Sequence, residues 1–437
     1  MKTIAYILTI LFCLTTTTVL AQHKVLGADL SMLPVYEEQH VTYKDKNGNT
    51  IADVLKFFHE QGINTVRVRL FVNPTGETGV VQDLEFVKSF GKRIKDEGMS
   101  FMLDYHYSDT WADPAKQYIP REWGTDASEI ENHIRNYTKE TLQTLIDAGA
   151  TPDYIQTGNE ITFGMCSMKG TYDTNSKTWT KTSDLYPVYV NREDNWNTFR
   201  RFLKAATEAC REKCPQAKLI LHTERASDWT TTKGIYDNLT TIDYDIIGLS
   251  YYPFWHGSLT TLKNTLDKLE TTYGKEVMVV ETAYYQEFYP TGEDIIDFKD
   301  TWAASPEGQD KFMDDLIDTL NNCSHVTGLF YWFPEENPKD NNVYEPWVNR
   351  GLFNNGYNDQ TWNHWTKAHQ ALPALYTLKR FLQTPSAISY QTTEQKGDNT
   401  SAYYFPDGRR TGEQTLHPGI YIQQQGKTAK LFLANAR

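Results

Sequence analysis

The chain has little of several things that would place it quickly. Cysteine is scarce, with five in 437 residues, so a small scaffold stapled by dense disulfides is excluded. Positive charge is in deficit: the formal net charge is −13, which excludes nucleic acid or an anionic membrane as the natural partner. Past the N-terminus no apolar run is long enough to span a bilayer. Internal repeats and low-complexity tracts are absent. No glycine-rich phosphate loop follows the first apolar strand, which weighs against a doubly wound nucleotide-binding sheet, the alternative fold for this chain.

Aromatic residues are abundant. The 11 Trp, 27 Tyr and 20 Phe make up 13% of the chain. Such rings stack on the apolar faces of sugars and equally fill a large core, so the surplus alone leaves both readings open. Hydrophobic and charged shares of 39% and 23% fit a soluble globular protein with ample core. At the N-terminus, Lys2, an apolar stretch over 4–14 and Val19-Leu20-Ala21 before Gln22 form an export signal over residues 1–21. Cys13 lacks the small residues that precede a lipoprotein cleavage site. The expectation is an exported monomer, periplasmic or extracellular. Cys166, Cys210, Cys214 and Cys323 remain, and in an oxidising compartment they are allowed to pair. Cys210 and Cys214 have the spacing for a local bridge, while the lack of histidine at ligand spacing disfavours zinc there.

From residue 24 onward, strand-like apolar runs alternate with amphipathic stretches. Strands are predicted over 25–31, 63–71, 99–105, 153–157, 218–222, 245–251, 277–280 and 326–333. Helices are predicted over 51–61, 84–97, 127–148, 195–213, 259–273, 309–321 and 362–382. Strict βα alternation with this strand count predicts a (β/α)8 TIM barrel over 22–383, with its active site at the C-terminal ends of the strands. Long, polar βα loops over 161–194 and 334–359 are read as builders of substrate subsites, or else as inert insertions. Residues 384–437 change character and form a small β-rich tail. Its Gly419-Ile-Tyr-Ile422 pattern resembles a tail found on many secreted proteins.

Two strands end on glutamate. Tyr154-Ile-Gln-Thr157 gives way to Gly158, Asn159 and Glu160; Val277-Met-Val-Val280 runs into Glu281. The second run is apolar without alternation, as expected of a parallel strand covered on both faces. Two carboxylates at neighbouring strand ends are what a retaining glycosidase requires, one a protonated acid/base and the other an ionised nucleophile. The run Asp104-Tyr-His-Tyr-Ser-Asp-Thr-Trp-Ala-Asp-Pro114 is the densest polar-aromatic cluster. Asp104, His106 and Asp109 are read there as binding sugar hydroxyls, with metal ligation the weaker alternative, and Trp111 as a stacking wall. Arg67 and Arg69 share the inward face of the second strand. A buried arginine needs a carboxylate, and for Arg67 the nucleophile is a candidate. His222, Tyr251, Tyr252 and Trp332 end three further strands and complete the mouth.

Six stretches carry a family resemblance: Gly27-Ala-Asp-Leu-Ser31, Gly62-Ile-Asn-Thr-Val-Arg-Val-Arg-Leu-Phe-Val-Asn-Pro74, the Asp104 to Pro114 run, Gln156-Thr-Gly-Asn-Glu160, Ser250-Tyr-Tyr-Pro253 and Val280-Glu-Thr-Ala-Tyr284. Over roughly residues 25 to 380 the chain resembles glycoside hydrolase family 53, the endo-β-1,4-galactanases. The resemblance implies Glu160 as acid/base, Glu281 as nucleophile and Asn159 on the 2-hydroxyl of the sugar being cleaved. It further implies Tyr251 or Tyr252, with Arg67, holding the nucleophile, and Trp332 as the floor of the −1 subsite. The implied substrate is β-1,4-galactan, with no cofactor required. Some relatives bind calcium near the last strand, where Asp340, Asn341 and Asn342 offer oxygens without an ordered ligand spacing. A clan-related mannanase or xylanase, and a barrel that binds sugar without cutting it, are the rival expectations.

Overall fold

The computed structural model describes residues 24–190, 192–339, 348–356 and 367–383, together with the backbone of 402–404, 419–425 and 428–434. The expected export segment, the Asp340 to Asn342 oxygens and most of the tail lie outside the described residues.

In chain order the described elements are β1 (Val25–Asp29), α1 (Leu33–Glu38), α2 (Val54–Glu60), β2 (Thr65–Leu70), α3 (Leu84–Asp96), β3 (Ser100–Tyr105), α4 (Ala127–Asp147), β4 (Tyr154–Thr157), β5 (Met168–Asp173), β6 (Thr178–Asp184) and α5 (Glu193–Lys213). They continue with β7 (Lys218–Thr223), α6 (Trp229–Asn238), β8 (Ile246–Ser250), α7 (Pro253–His256), α8 (Leu259–Tyr273), β9 (Glu276–Thr282), α9 (Pro306–Asn321), β10 (Val326–Trp332) and α10 (Pro373–Thr377). Strands β1, β2, β3, β4, β7, β8, β9 and β10 close into a parallel barrel. The (β/α)8 expectation holds.

Closure follows from the strand sequences. Each barrel strand is apolar enough to be covered on both faces, and β8, β1, β2 and β10 are buried along their whole length. Inside the barrel Val25, Met102, Ile220, Ile246, Met278, Val280 and Phe330 form a dry plug. Above it, at the C-terminal ends, the inward positions turn polar, and that change places the site. Side-chain caps fix the helix starts: Asp83 accepts from the Phe86 amide, Asp126 from Ser128 and Glu129, and Ser258 from Thr261.

Four differences from the sequence reading have physical causes. The predicted helix over 51–61 begins only at Val54, because Asp53 is extended and caps it. Helix α6, rich in threonine and weakly amphipathic, was not foreseen between the fifth and sixth barrel strands. The strand-four loop contains an antiparallel hairpin, β5 with β6, whose strands are largely exposed and so carry no apolar signature. The predicted helix over 362–382 reduces, within its described part, to α10 and a 3-10 turn over 378–382; Pro373 occupies the first turn of α10 and starts it there.

All four described cysteines are buried free thiols, so Cys210 and Cys214 do not bridge. Burial pushes the Cys214 thiol up to about 11, which keeps it protonated and inert. Among the described residues no helix is long and apolar enough to cross a membrane. The chain divides into two compact units, Met1–Leu382 and Gln383–Arg437. In the second, β11 (Ala402–Tyr404), β12 (Gly419–Gln425) and β13 (Thr428–Ala434) form an antiparallel sheet.

Candidate active site

The site begins where β4 ends. Gly158 adopts φ +90, and a Cβ there would lie 2.6 Å from the Ile161 side chain, so only glycine fits. Glu160 is itself left-handed at φ 47 and ψ 53. Such a backbone costs about 1–3 kcal/mol and persists only when the surroundings enforce it. It turns the Glu160 carboxyl across the barrel mouth to the Ser250 hydroxyl of β8, 2.7 Å away. Glu281, near the end of β9, is placed by a different device: the strand's register shifts around Val280 against both neighbouring strands, just before Glu281.

One carboxylate oxygen of each glutamate and a ring nitrogen of His222 lie within 4.8 Å of one another. The two carboxylates have different neighbours. Burial raises the pKa of Glu160 well above the usual carboxylate range; the Glu281 and Glu224 charges add to the rise, and the Ser250 hydrogen bond opposes it. Burial raises Glu281 too, but the Arg67 guanidinium and the Tyr252 hydroxyl pull it back. Within the pair Glu160 therefore holds the proton and Glu281 ionises first.

Arg67 is the hub of the supporting network. Fully buried, its guanidinium reaches Asp29 at 2.7 Å, Asp104 at 2.8 Å and Glu281 at 3.3 Å, and it donates to the Asn159 side-chain oxygen at 2.8 Å. Burial works against its charge, but those carboxylates outweigh it and raise its pKa. Tyr252 donates to the other oxygen of Glu281 at 2.7 Å. Tyr251 does not: its hydroxyl bonds the Gly257 carbonyl at 2.7 Å, behind the site. Of the two tyrosines, Tyr252 is the one bonded to Glu281.

The remaining predicted residues separate into those that border the cleft and those behind it. Trp111 and Trp332 meet with ring centroids 6.4 Å apart, and the Arg69 guanidinium lies 4.6 Å from the Trp111 ring. Asn159 is slightly exposed, its amide donating to the Ala112 carbonyl at 2.8 Å. Asp104, expected on sugar hydroxyls, is instead sealed beneath Arg67 and 3.2 Å from His106. The other ring nitrogen of His106 accepts from the Ala112 amide at 3.0 Å. Asp109 binds the Asn73 and Arg121 amides at 3.0 Å and the Arg121 side chain at 2.9 Å, which pins the loop after β3. These three carry the site without facing it. His222 is fully buried between the Asn159 side-chain oxygen at 3.0 Å and Ser250 at 2.8 Å.

Four supporting residues escaped the sequence reading. Asp29, Gln156 and Ser250 lie in stretches already singled out, at inward positions that strand alternation marks. Glu224, two residues beyond His222 on the same alternation, pairs with Arg225 at 2.9 Å and accepts from Thr162. Glu160, His222 and Glu281 have the spacing of a metal-ligand cluster. Both His222 nitrogens and both Glu281 oxygens are engaged by protein partners, however, so the donor set is that of an acid/base pair with its supports.

A protonated and an ionisable glutamate at the C-terminal mouth of a parallel eight-stranded barrel, beside paired tryptophans, define a barrel glycosidase. The family model of glycosyl hydrolase family 53 matches residues 25–378, and the chain belongs to that family. An arabinogalactan endo-β-1,4-galactanase of Thermothelomyces thermophilus is 30% identical over 81% of this chain and 98% of its own length. Another from Emericella nidulans is 32% identical over 70% of this chain and 84% of its own. Among solved structures, a fungal β-1,4-galactanase is 29% identical with a TM-score of 0.65, covering 82% of this chain and 99% of its own. The family 53 catalytic domain of Ignisphaera aggregans is 27% identical with a TM-score of 0.66, covering 84% and 98%.

Proposed function

We propose that the protein is a retaining endo-β-1,4-galactanase acting on the galactan side chains of pectin. The observation that carries the mechanism is the carboxylate pair within 4.8 Å with opposed environments. A retaining enzyme holds its two carboxyls about 5–5.5 Å apart, whereas an inverting one leaves about 6.5–9.5 Å for a water. Glu281 attacks the anomeric carbon while Glu160 protonates the departing oxygen. A glycosyl ester on Glu281 forms, and Glu160, now ionised, removes a proton from the water that hydrolyses it. Arg67 and Tyr252 stabilise the charge on Glu281 before attack. Galactan as the substrate is supported by the galactanases among the relatives. Internal cleavage is supported by a cavity of about 370 Å³ lined by Met32, Tyr36, Thr78 and Phe333 beside Trp332, which offers room for further sugar units.

The test is reducing-sugar release from β-1,4-galactan, mannan and xylan by the wild type and by Glu281→Ala. Release selective for galactan, falling on the order of 10⁴-fold or more in the variant, is expected. Activity on mannan or xylan alone would overturn the substrate while keeping the mechanism. An undiminished variant would overturn Glu281 as the nucleophile, and oligosaccharide binding with no cleavage of any polymer would overturn the enzyme reading.

A further inference from the structure

The most unusual cation in the molecule is Arg350. Its side chain is 7% exposed, and its Nε–H and Nη1–H groups have no hydrogen-bond partner. The guanidinium sits among five aromatic rings, 5.0 Å from the centroid of Trp332, 5.1 Å from Tyr252, 5.5 Å from Tyr285, 5.7 Å from Trp255 and 5.8 Å from Phe254. Cation–π attraction offsets part of the cost of burying it, but ring faces do not satisfy N–H donors. Tyr252 donates to Glu281 at 2.7 Å and Trp332 packs against Trp111, so the guanidinium stands one ring away from the carboxylate pair.

The backbone around Arg350 is clamped in a way that serves to aim this side chain. Glu336 is buried, and its carboxylate accepts the amides of Arg350 at 2.9 Å and Gly351 at 3.1 Å, and that of Val348. The Tyr331 hydroxyl donates to the Arg350 carbonyl at 2.7 Å. A Cβ on residue 351 would lie 2.3 Å from the Glu336 carbonyl oxygen, so the close approach requires glycine. Glu336 is thus occupied by main-chain amides, and among the described residues no ion pair to Arg350 is formed. A clamped loop that presents one buried cation with open donors is a preorganised binding element.

We propose that Arg350 is a substrate-binding residue whose Nε–H and Nη1–H donate to hydroxyl oxygens of the galactosyl unit seated beside Trp332 and Tyr252. The inference rests on the galactanase reading above. Calorimetric titration of β-1,4-galactotetraose into Glu160→Gln, with and without Arg350→Met, tests it. Methionine keeps the apolar stem and removes the donors, so affinity should fall about tenfold or more. Thermal stability should hold or rise, since unmet buried donors are removed. Arg350→Lys, which keeps the charge without the fork, should fall between the two. Unchanged affinity, with or without a lower melting temperature, would make Arg350 a packing residue and overturn the proposal. Should the wild type prove to cut mannan or xylan instead, the galactan reading fails by itself. The same variants titrated with the accepted oligosaccharide then decide the role of Arg350 by the same criterion.

Discussion

Glu160 and Glu281 are the same residue type in one cleft, with oxygens within 4.8 Å, yet they are held in opposite ways. Glu281 extends from a bulged strand end into a positive and hydrogen-bond-donating corner made by Arg67 and Tyr252. Glu160 stands on a left-handed residue after a glycine that no other side chain can replace, and it faces a hydroxyl and further negative charge. The nucleophile needs stabilised charge, which a strand-end arginine supplies. The acid needs to keep a proton and to give it up on demand, which calls for burial and a neutral partner. Environment, more than residue identity, separates the two roles.

The largest effect in this comparison after loss of Glu281 itself belongs to Glu160→Ala. On galactan, kcat/KM should fall about 10²–10⁴-fold, the usual worth of general acid/base catalysis. An aryl galactoside with a good leaving group needs little protonation, so its first step should survive. Added azide should then restore turnover and yield a β-galactosyl azide, seen by NMR. Rescue with inverted configuration would show that the two glutamates had been assigned the wrong way round.

Next in size is Tyr252→Phe, which removes one hydrogen bond to the ionised nucleophile and leaves the ring among its aromatic neighbours. A hydrogen bond to a charged group is worth about 1.5–3 kcal/mol, so kcat/KM should fall about tenfold to a hundredfold. That bond lowers the pKa of Glu281. Its loss raises the pKa, so the acid limb of the pH–rate profile, where Glu281 must be ionised, should move to higher pH. An unmoved acid limb would detach Tyr252 from the nucleophile. Tyr251→Phe is the control, since its hydroxyl bonds a carbonyl behind the site.

Much of the architecture was legible because period-two and helical patterns are local. Helix 259–273 coincides with its prediction, and both glutamates fall at strand ends as read. What was not legible depends on partners distant in sequence. Asp104 sits at a strand end and so resembles a sugar ligand, but Arg67 from the neighbouring strand claims it. No spacing rule distinguishes Tyr251 from Tyr252, since register and a bulge between Leu249 and Ser250 decide which of them meets Glu281. Arg350 lies in the 334–359 loop outside the stretches that carry the resemblance, and becomes notable only when five rings from three segments close around it.

The smallest effect sharpens the comparison from the other side. Ser250 lies between Glu160 and His222, at 2.7 Å and 2.8 Å. Burial, with Arg67 next, pushes the His222 pKa well below its ordinary value, so the ring is neutral. His222 Nδ1 lies 3.0 Å from the Asn159 oxygen and also accepts from the Glu160 backbone N–H at 3.4 Å, while the Ser250 hydroxyl donates to the Glu160 carboxylate. The Ser250 bond to ionised Glu160 lowers the pKa of that carboxyl. Ser250→Ala should therefore raise it and move the basic limb of the profile to higher pH, with kcat/KM down about tenfold or less, as for one net hydrogen bond. A basic limb that moves down would mean that Ser250 chiefly supports the protonated acid.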